Sequence, residues 1–413
     1  MPERTPSHDW GDLHLRVNPV PSEKTTFGQA VFKITYGIDP FARKLVRTAP
    51  RPLVNNLQEE TCDPPLPAHS DFWPSREWTD IAVIGSAHAP EGEPVPDMLA
   101  GIRAGGRRKL LRVHGDREIR FRRDGEPEIG PAEPFVERPL GLEHAYGGID
   151  PDAEFDPDDP EEAGLVATGS DAPGLYPRNP WGRGYLCTPH PREGLAMPSQ
   201  EDATDPLTAT RLIAAPELWY LQPMPGFLDW MPINCFPRSI FLAIDCEPWF
   251  PPPEDRRLPE IANGILPENY RLLLDGHELG SPAHWRFVQE AAPGLAFRRQ
   301  QLETAPISVI GMHPEHQTLT FNLPRRPVVQ LAFDSARETV EPSLHCIEIL
   351  PGDLLVSFTY TASIAAPRLF LPMVHEKIPF GAIVDDEGPF WYSPPPTLKK
   401  TLGKSAKETE DES

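Results

Sequence analysis

The chain has 413 residues, a net charge of −22 and 54 prolines, and 39% of its residues are hydrophobic. This length allows two or three domains with full cores, and the hydrophobic content excludes a disordered polymer. Because proline limits helix length, we expect a mainly β protein with short helices and long proline-rich loops. The acidic charge disfavours general affinity for nucleic acid or for an anionic membrane.

The spacing of the cysteines and the hydropathy of the chain indicate where in the cell the protein is located. The five cysteines are widely spaced and form no Cys-x-x-Cys pair, so they predict neither a disulfide framework nor a zinc ribbon. No apolar region follows Met1, and no apolar run approaches the ~20 residues that span a bilayer. We therefore expect a cytoplasmic protein.

Residues 1–136 are predicted to form an N-terminal β region. Its clearest part is an antiparallel meander within 80–136, whose predicted strands are 80–86, 98–103, 109–114 and 118–121. Cations and apolar residues interleave over 110–123 around Gly115 and Asp116, which predicts a hairpin with one solvated face.

Residues 137–300 are predicted to be a mixed connecting region. An acidic loop over 149–177 interrupts it, with eight acids and no base between Asp150 and Glu162. The loop has too little apolar content to repay the entropy of ordering, so we expect it to be exposed and mobile. A short helix is predicted over 284–292.

Residues 301–395 are predicted to form a C-terminal β region, followed by a disordered tail over 396–413. Period-two patterns predict five strands, at 307–312, 318–323, 328–333, 345–350 and 354–360. His313 and His316 flank a proline between two of these strands, which favours a turn over a metal site. The expected architecture is two antiparallel sheet or sandwich regions.

Two short segments, 137–148 and 178–185, concentrate charged, aromatic and glycine residues. Neither contains a nucleophile with a base, a metal-ligand spacing or a complete phosphate loop, so we expect no catalytic residue, metal or cofactor there. Two interpretations remain open: the side chains fix a loop, or they contact a partner. If they contact a partner, Trp181 and Arg183 are the first candidates, because Trp and Arg are enriched at interface hot spots. The candidate residues are Arg138, Glu143, His144, Tyr146, Gly147, Gly148, Asn179, Trp181, Arg183 and Tyr185.

The stretch Pro139–Pro151 and the later Asn179–Tyr185, separated by an acidic spacer, carry a resemblance. This pairing resembles a bacterial family that was first catalogued as a domain of unknown function and is associated with type VI secretion effector adaptors. In that family a stretch ending in Tyr- or Phe-Gly-Gly precedes Asn-Pro-x-Gly-x-Gly at similar spacing. Similarity extends over about residues 20–360.

The resemblance implies a non-enzymatic adaptor or chaperone that binds a secreted toxic effector and helps to load it onto the PAAR and VgrG spike proteins. It carries over no catalytic residue. Two alternatives stay open. One is a β-sandwich hydrolase acting on carbohydrate or peptide, with Glu143 and Asp150 near His144. The other is an immunity protein that neutralises a toxin.

Overall fold

The computed structural model describes fifteen stretches of the chain. They are residues 14–19, 26–49, 51–54, 71, 78–124, 126–150, 176, 179, 181–186, 194–212, 223–230, 291–333, 336–366, 381–385 and 388–392. The fold is mainly β, which confirms the predicted fold class.

Strands dominate the described residues. They are β1 (His14–Pro19), β2 (Thr26–Asp39), β3 (Lys44–Arg47), β4 (Trp78–Val83), β5 (Ser86–His88), β6 (Asp97–Ala104), β7 (Arg107–His114), β8 (Ile119–Phe121), β9 (Pro127–Ile129), β10 (Glu137–Pro139), β11 (Tyr146–Gly147), β12 (Arg183–Gly184), β13 (Gln200–Asp202), β14 (Ala296–Arg298), β15 (Ile307–Ile310), β16 (Thr318–Phe321), β17 (Val328–Phe333), β18 (Ala336–Val340), β19 (Ser343–Leu350), β20 (Leu355–Ala366), β21 (Gly381–Asp385) and β22 (Gly388–Tyr392). The helices are α1 (Ala209–Leu212), α2 (Arg299–Glu303) and the 3₁₀ turns Pro90–Gly92, Leu142–His144 and Pro351–Asp353.

Two sheets form the body of the fold. The larger has seven strands in the order β1-β2-β20-β19-β4-β14, with β3 also paired to β2, and the smaller has the order β13-β7-β6-β15-β16. All of these pairs are antiparallel except β4 with β19, which is parallel. Both sheets combine strands from the predicted N-terminal and C-terminal β regions, because β4 pairs with β19 and β6 pairs with β15.

One hydrophobic core joins the two sheets, because alternate residues of each strand point inward. In β2 these residues include Phe32, whose ring stacks on Tyr360 of β20 with centroids 5.3 Å apart. Val309 of β15 and Leu111 of β7 belong to the same cluster and come from the smaller sheet. The arrangement is a β-sandwich.

The opposite face of the larger sheet is polar and nevertheless buried. Lys33 of β2 lies 2.6 Å from Asp71, and both side chains are almost fully buried. Burial alone would lower the pKa of Lys33, but the charges of Asp71 and Glu348 outweigh it and hold that pKa above its usual value. Asp71 also accepts a hydrogen bond from Thr359 Oγ1 at 2.8 Å. This ion pair holds Asp71 against the larger sheet.

The hairpin predicted around Gly115 and Asp116 is wrong. Strand β7 pairs with β6 and β13, whereas β8 pairs with β9, so the strands on the two sides of Gly115 are not partners. The turn that precedes β7 lies instead at Gly105 and Gly106, whose φ angles of 53° and 78° suit a two-residue hairpin loop. The predicted meander of 80–136 is likewise divided, because β4 belongs to the larger sheet and β6 and β7 to the smaller.

The five strands predicted after residue 301 are present, but they are distributed over the two large sheets and a third sheet of four strands in the order β18-β17-β21-β22. They do not form a sheet of their own. The turn predicted at His313 is confirmed: it lies between β15 and β16, and its Nδ1 accepts the amides of Glu315 and His316. The predicted helix 284–292, apart from residues 291 and 292, the tail 396–413 and most of the acidic loop 149–177 lie outside the described residues. No helix in the described stretches is long and apolar enough to cross a membrane.

Candidate functional site

The two glycine-containing segments form one structural unit beside the smaller sheet, which we call the motif knot: residues 137–148, 176, 179 and 181–186. Strand β10 pairs with β5, and the 3₁₀ turn Leu142–His144 follows it. Strands β11 and β12 then pair in parallel, with Tyr146 opposite Arg183 and Gly147 opposite Gly184. The structure thus brings together segments that about 35 residues separate in the sequence.

Glycine is required where the two segments cross. Gly147 has a φ of 150°, and a Cβ there would lie 2.0 Å from the carbonyl oxygen of Asn179. Gly148 has a φ of 97°, and its amide donates to that same oxygen at 2.8 Å. Because the backbones approach this closely, a side chain at either position would push the segments apart.

Asn179 holds the crossing from inside. It is fully buried, and its Nδ2 donates to the carbonyl oxygens of Leu142 at 2.7 Å and Tyr146 at 3.1 Å. Its own carbonyl oxygen accepts the amides of Gly148 and Gly182. The side chain and backbone of Asn179 therefore supply hydrogen-bond partners to buried polar groups on both segments.

Arg183 ties β12 to the 3₁₀ turn. Its Nε donates to the carbonyl oxygen of Glu143 at 3.1 Å, and its Nη2 donates to Nδ1 of His144 at 3.0 Å. An Nδ1 that accepts a hydrogen bond leaves the imidazole proton on Nε2, which lies 3.5 Å from Glu143 Oε1. Burial lowers the pKa of His144; the Glu143 charge opposes this shift, and the charges of Arg183 and Arg138 reinforce it.

Three tyrosine rings fill the space under the knot. Tyr146 and Tyr185 are buried together with Tyr176, and the ring centroids of Tyr176 lie 5.1 Å from Tyr146 and 5.0 Å from Tyr185. The hydroxyl of Tyr176 donates to the carbonyl oxygen of Pro223 at 2.8 Å. These rings belong to a second hydrophobic cluster, separate from the core of the sandwich.

The remaining predicted site residues lie at the border of the knot. Arg138 pairs with the exposed carboxylate of Asp116 across the loop after β7. Trp181 is half-buried, and Asp150 is buried. Of the predicted residues, therefore, Glu143, His144 and Arg183 lie in mutual contact, whereas Arg138 has its hydrogen-bonding partner elsewhere.

Sequence reasoning missed a layer of polar residues on β13. Buried Gln200 accepts the amide of Gly141 at 3.1 Å and donates to the carbonyl oxygen of Gly226 at 2.6 Å. Its neighbour Glu201 accepts hydrogen bonds from His114 and Arg117, both at 3.0 Å. Burial alone would raise the pKa of Glu201, but the hydrogen bond from His114 and the charge of Arg117 hold it below its usual value. The single available signal was the adjacent polar pair 200–201 after a proline.

Asp229 is the second missed residue, and it places another carboxyl group near Glu143. Its Oδ1 is buried and has no hydrogen-bond partner among the described residues, although the residue as a whole is half-buried. Burial raises the pKa of Asp229 to about 7, and the charge of Glu143 adds to the rise. Backbone hydrogen bonds, including one from Leu142, oppose it. Asp229 thus titrates near neutrality beside the knot.

The polar atoms of the knot are directed mainly at its own backbone. Within the stretches that the structure describes, no group of three or more His, Cys, Asp or Glu residues has the arrangement of a metal site. Glu143 lies beside both His144 and Asp229, and burial raises the pKa of Asp229 to about 7.

Comparison with known proteins identifies the family. No curated protein and no solved structure matches the chain. A family model described as "Uncharacterized protein conserved in bacteria (DUF2169)" matches residues 24–361, which include the smaller sheet, the motif knot and the larger sheet apart from β1 and the last residues of β20. The chain therefore belongs to this family of proteins conserved in bacteria.

Proposed function

We propose that the chain is a non-enzymatic adaptor that binds a secreted effector protein and assists its loading onto the PAAR and VgrG spike proteins. The observation that carries this proposal is the use of Arg183 and Asn179, which donate their hydrogen bonds to the motif knot itself. A scaffold braced in this way presents preformed loops, which lowers the ordering cost of binding a partner.

Surface chemistry adds support. Five large apolar side chains are exposed on the described surface, and Phe41 is the most exposed of them, at 86%. An exposed aromatic ring on a chain of this charge favours contacts with protein over contacts with nucleic acid. The net charge of −22 would also suit a cationic effector.

The proposal is tested by co-expressing the tagged chain with candidate effector and PAAR proteins taken from the same genome. We expect a purified complex of defined stoichiometry and lower effector levels when the chain is deleted. A non-cognate effector is the matched control. Absence of a complex, together with unchanged effector level and secretion on deletion, would contradict the adaptor function.

A hydrolase is the second candidate, and the specific observation for it is the neighbourhood of Glu143, His144 and Asp229. A carboxyl group whose pKa lies near 7 can act as a general acid at neutral pH. Turnover of a polysaccharide or peptide substrate that Asp229→Asn and Glu143→Gln both abolish, without loss of folding, would favour the hydrolase. An immunity function would instead require direct inhibition of a purified toxin.

A further inference from the structure

The turn between β2 and β3 displays an aromatic ring in a fixed position. Asp39 Oδ1 accepts the amides of Phe41 at 2.9 Å and Ala42 at 2.8 Å, which closes the turn. Phe41 is nevertheless 86% exposed, and its ring meets His316 edge-on with centroids 5.3 Å apart. Arg43 follows in the left-handed region with a φ of 55°. Packing within the chain does not explain why a closed turn holds this hydrophobic ring in contact with water.

Strand β3, next to this turn, is an edge strand. Its inner edge pairs with β2, from Asp39 opposite Lys44 to Tyr36 opposite Arg47. On its outer edge no strand of the described residues pairs with it, so its outward backbone groups offer a template for another strand. Strand β16 of the smaller sheet, also an edge strand, lies beside β3.

The side chains of β3 divide into an inner and an outer set. Leu45 packs against the core of the sandwich, whereas Lys44 and Val46 are exposed, and Val46 is 59% exposed. An apolar and a cationic side chain therefore stand on one face of the strand, next to the Phe41 ring. An added strand would place its own side chains beside these two.

The local charge is opposite to that of the whole chain. Arg43 and Lys44 are exposed cations, and the nearest acid in the turn, Asp39, already accepts two hydrogen bonds. The chain as a whole carries a charge of −22. Two copies of β3 placed edge to edge would bring the exposed cations Arg43 and Lys44 of each copy close together, which opposes self-pairing. At this edge charge complementarity instead selects an acidic segment, even within a partner that is cationic as a whole.

We propose that the outer edge of β3, together with Phe41, is a docking surface for an extended segment of another protein that carries an acidic and an apolar residue two positions apart. The segment adds as a strand beside β3. Because Lys44 and Val46 lie on one face of β3, the acidic side chain pairs with Lys44 and the apolar side chain covers Val46 and the Phe41 ring. That this partner is the secreted effector rests on the proposed function; the docking surface itself rests on the geometry of β3.

The first test titrates the full chain into a fluorescent peptide of eight residues, Thr-Glu-Thr-Val-Thr-Glu-Thr-Val, which carries Glu and Val on one face, and uses the same peptide with Lys in place of Glu as a control. We expect the acidic peptide to bind and to protect the amides of residues 43–47 from hydrogen exchange. Lys44→Glu and Phe41→Ser should each weaken binding about tenfold, because a 1.4 kcal/mol loss is a factor of ten. Leu99→Ser removes an exposed apolar residue of the other sheet and should change nothing.

Equal binding of the two peptides, no protection at 43–47, or unchanged binding by Lys44→Glu would each overturn the docking surface. Since both substituted side chains are exposed, an unchanged melting temperature keeps the comparison independent of folding. The second test repeats the variants with the effector that the co-expression experiment identifies. If the wild type and Lys44→Glu bind the effector equally, the docking surface is wrong and the adaptor function stands. If the chain binds the peptide but not the effector, the adaptor function is wrong and the docking surface stands.

Discussion

Arg183 and His144 lie 39 residues apart in the sequence, yet Arg183 Nη2 donates to His144 Nδ1 at 3.0 Å. This contact determines the tautomer of the imidazole and joins the two glycine-containing segments. It also directs both side chains, each a candidate for partner contact, into the motif knot. The knot is thus a brace between β11 and β12.

Replacing Arg183 with Ala should lower the free energy of unfolding by about 1.5–3 kcal/mol, the usual range for hydrogen bonds to charged groups. Arg183→Lys should restore little, because an ammonium on a flexible stem cannot donate to Glu143 and His144 in the same planar geometry. Chemical denaturation measures both effects. Arg103→Ala, at an exposed position of β6, is the control for loss of charge; an equal loss of stability there would argue against the brace.

Gly147→Ala should disrupt the knot more severely than removal of any one of its hydrogen bonds. The new methyl would lie 2.0 Å from the Asn179 carbonyl oxygen, a position occupied by backbone rather than by a flexible side chain. We expect a loss of at least about 3 kcal/mol, or failure to fold, with lost amide protection at residues 145–148. Gly352→Ala, where a Cβ meets nothing within 4 Å, should be tolerated. Equal behaviour of the two variants would contradict the close approach.

The sequence predicted residues of the motif knot but not the residues outside the knot that contact it. Tyr146-Gly147-Gly148 and Asn179 were identifiable because tight backbone crossings require glycine and buried amides. Gln200 and Asp229 were not, since Gln200 contacts Gly141 from 59 residues along the chain and Asp229 lies 86 residues beyond Glu143. The parallel pairing of β4 with β19 was hidden for the same reason: a period-two pattern predicts a strand but not its partner.

The glycines at 105–106 and the glycine at 115 are required for different structural reasons. Gly115 with Asp116 and Gly105 with Gly106 carry similar local signals, but the second pair supplies a positive φ at both positions and joins strands of equal length. Gly115 serves a different purpose, because a Cβ there would lie 1.7 Å from the carbonyl oxygen of Glu133. Close backbone approach and hairpin turns both select glycine, and the sequence alone does not separate the two causes.

Removing one partner of the buried pair formed by Lys33 and Asp71 should be costly. Asp71→Ala leaves the Lys33 charge buried without its nearest carboxylate, 2.6 Å away in the wild type, so we expect a loss of about 3–5 kcal/mol. The double variant Lys33→Met with Asp71→Leu should recover most of that loss, since it removes both charges. A double-mutant cycle measured by denaturation checks this. Additive losses would show that the two residues do not act as a pair.

Asp229 should make the stability of the protein fall as pH rises. Its pKa is raised from the ordinary 3.8 to about 7, so between these values the folded state holds a proton that the unfolded chain has released. The unfolding free energy then decreases with pH across this window and levels off above pH 7. Because the residue is only half-buried, we expect the total change to be about 1–2 kcal/mol, below the full value for such a shift.

Asp229→Asn removes this titration and keeps the shape of the side chain, so the variant should be more stable than the wild type at pH 7.5 and similar to it at pH 4. Unfolding curves measured from pH 4 to pH 8 compare the two slopes directly. Asp124→Asn, on the exposed loop between β8 and β9, is the matched control and should leave the slope unchanged. Parallel curves for wild type and Asp229→Asn would show that this carboxyl group is ionised at pH 7 in the folded protein, and the support for a general acid beside Glu143 and His144 would then be lost.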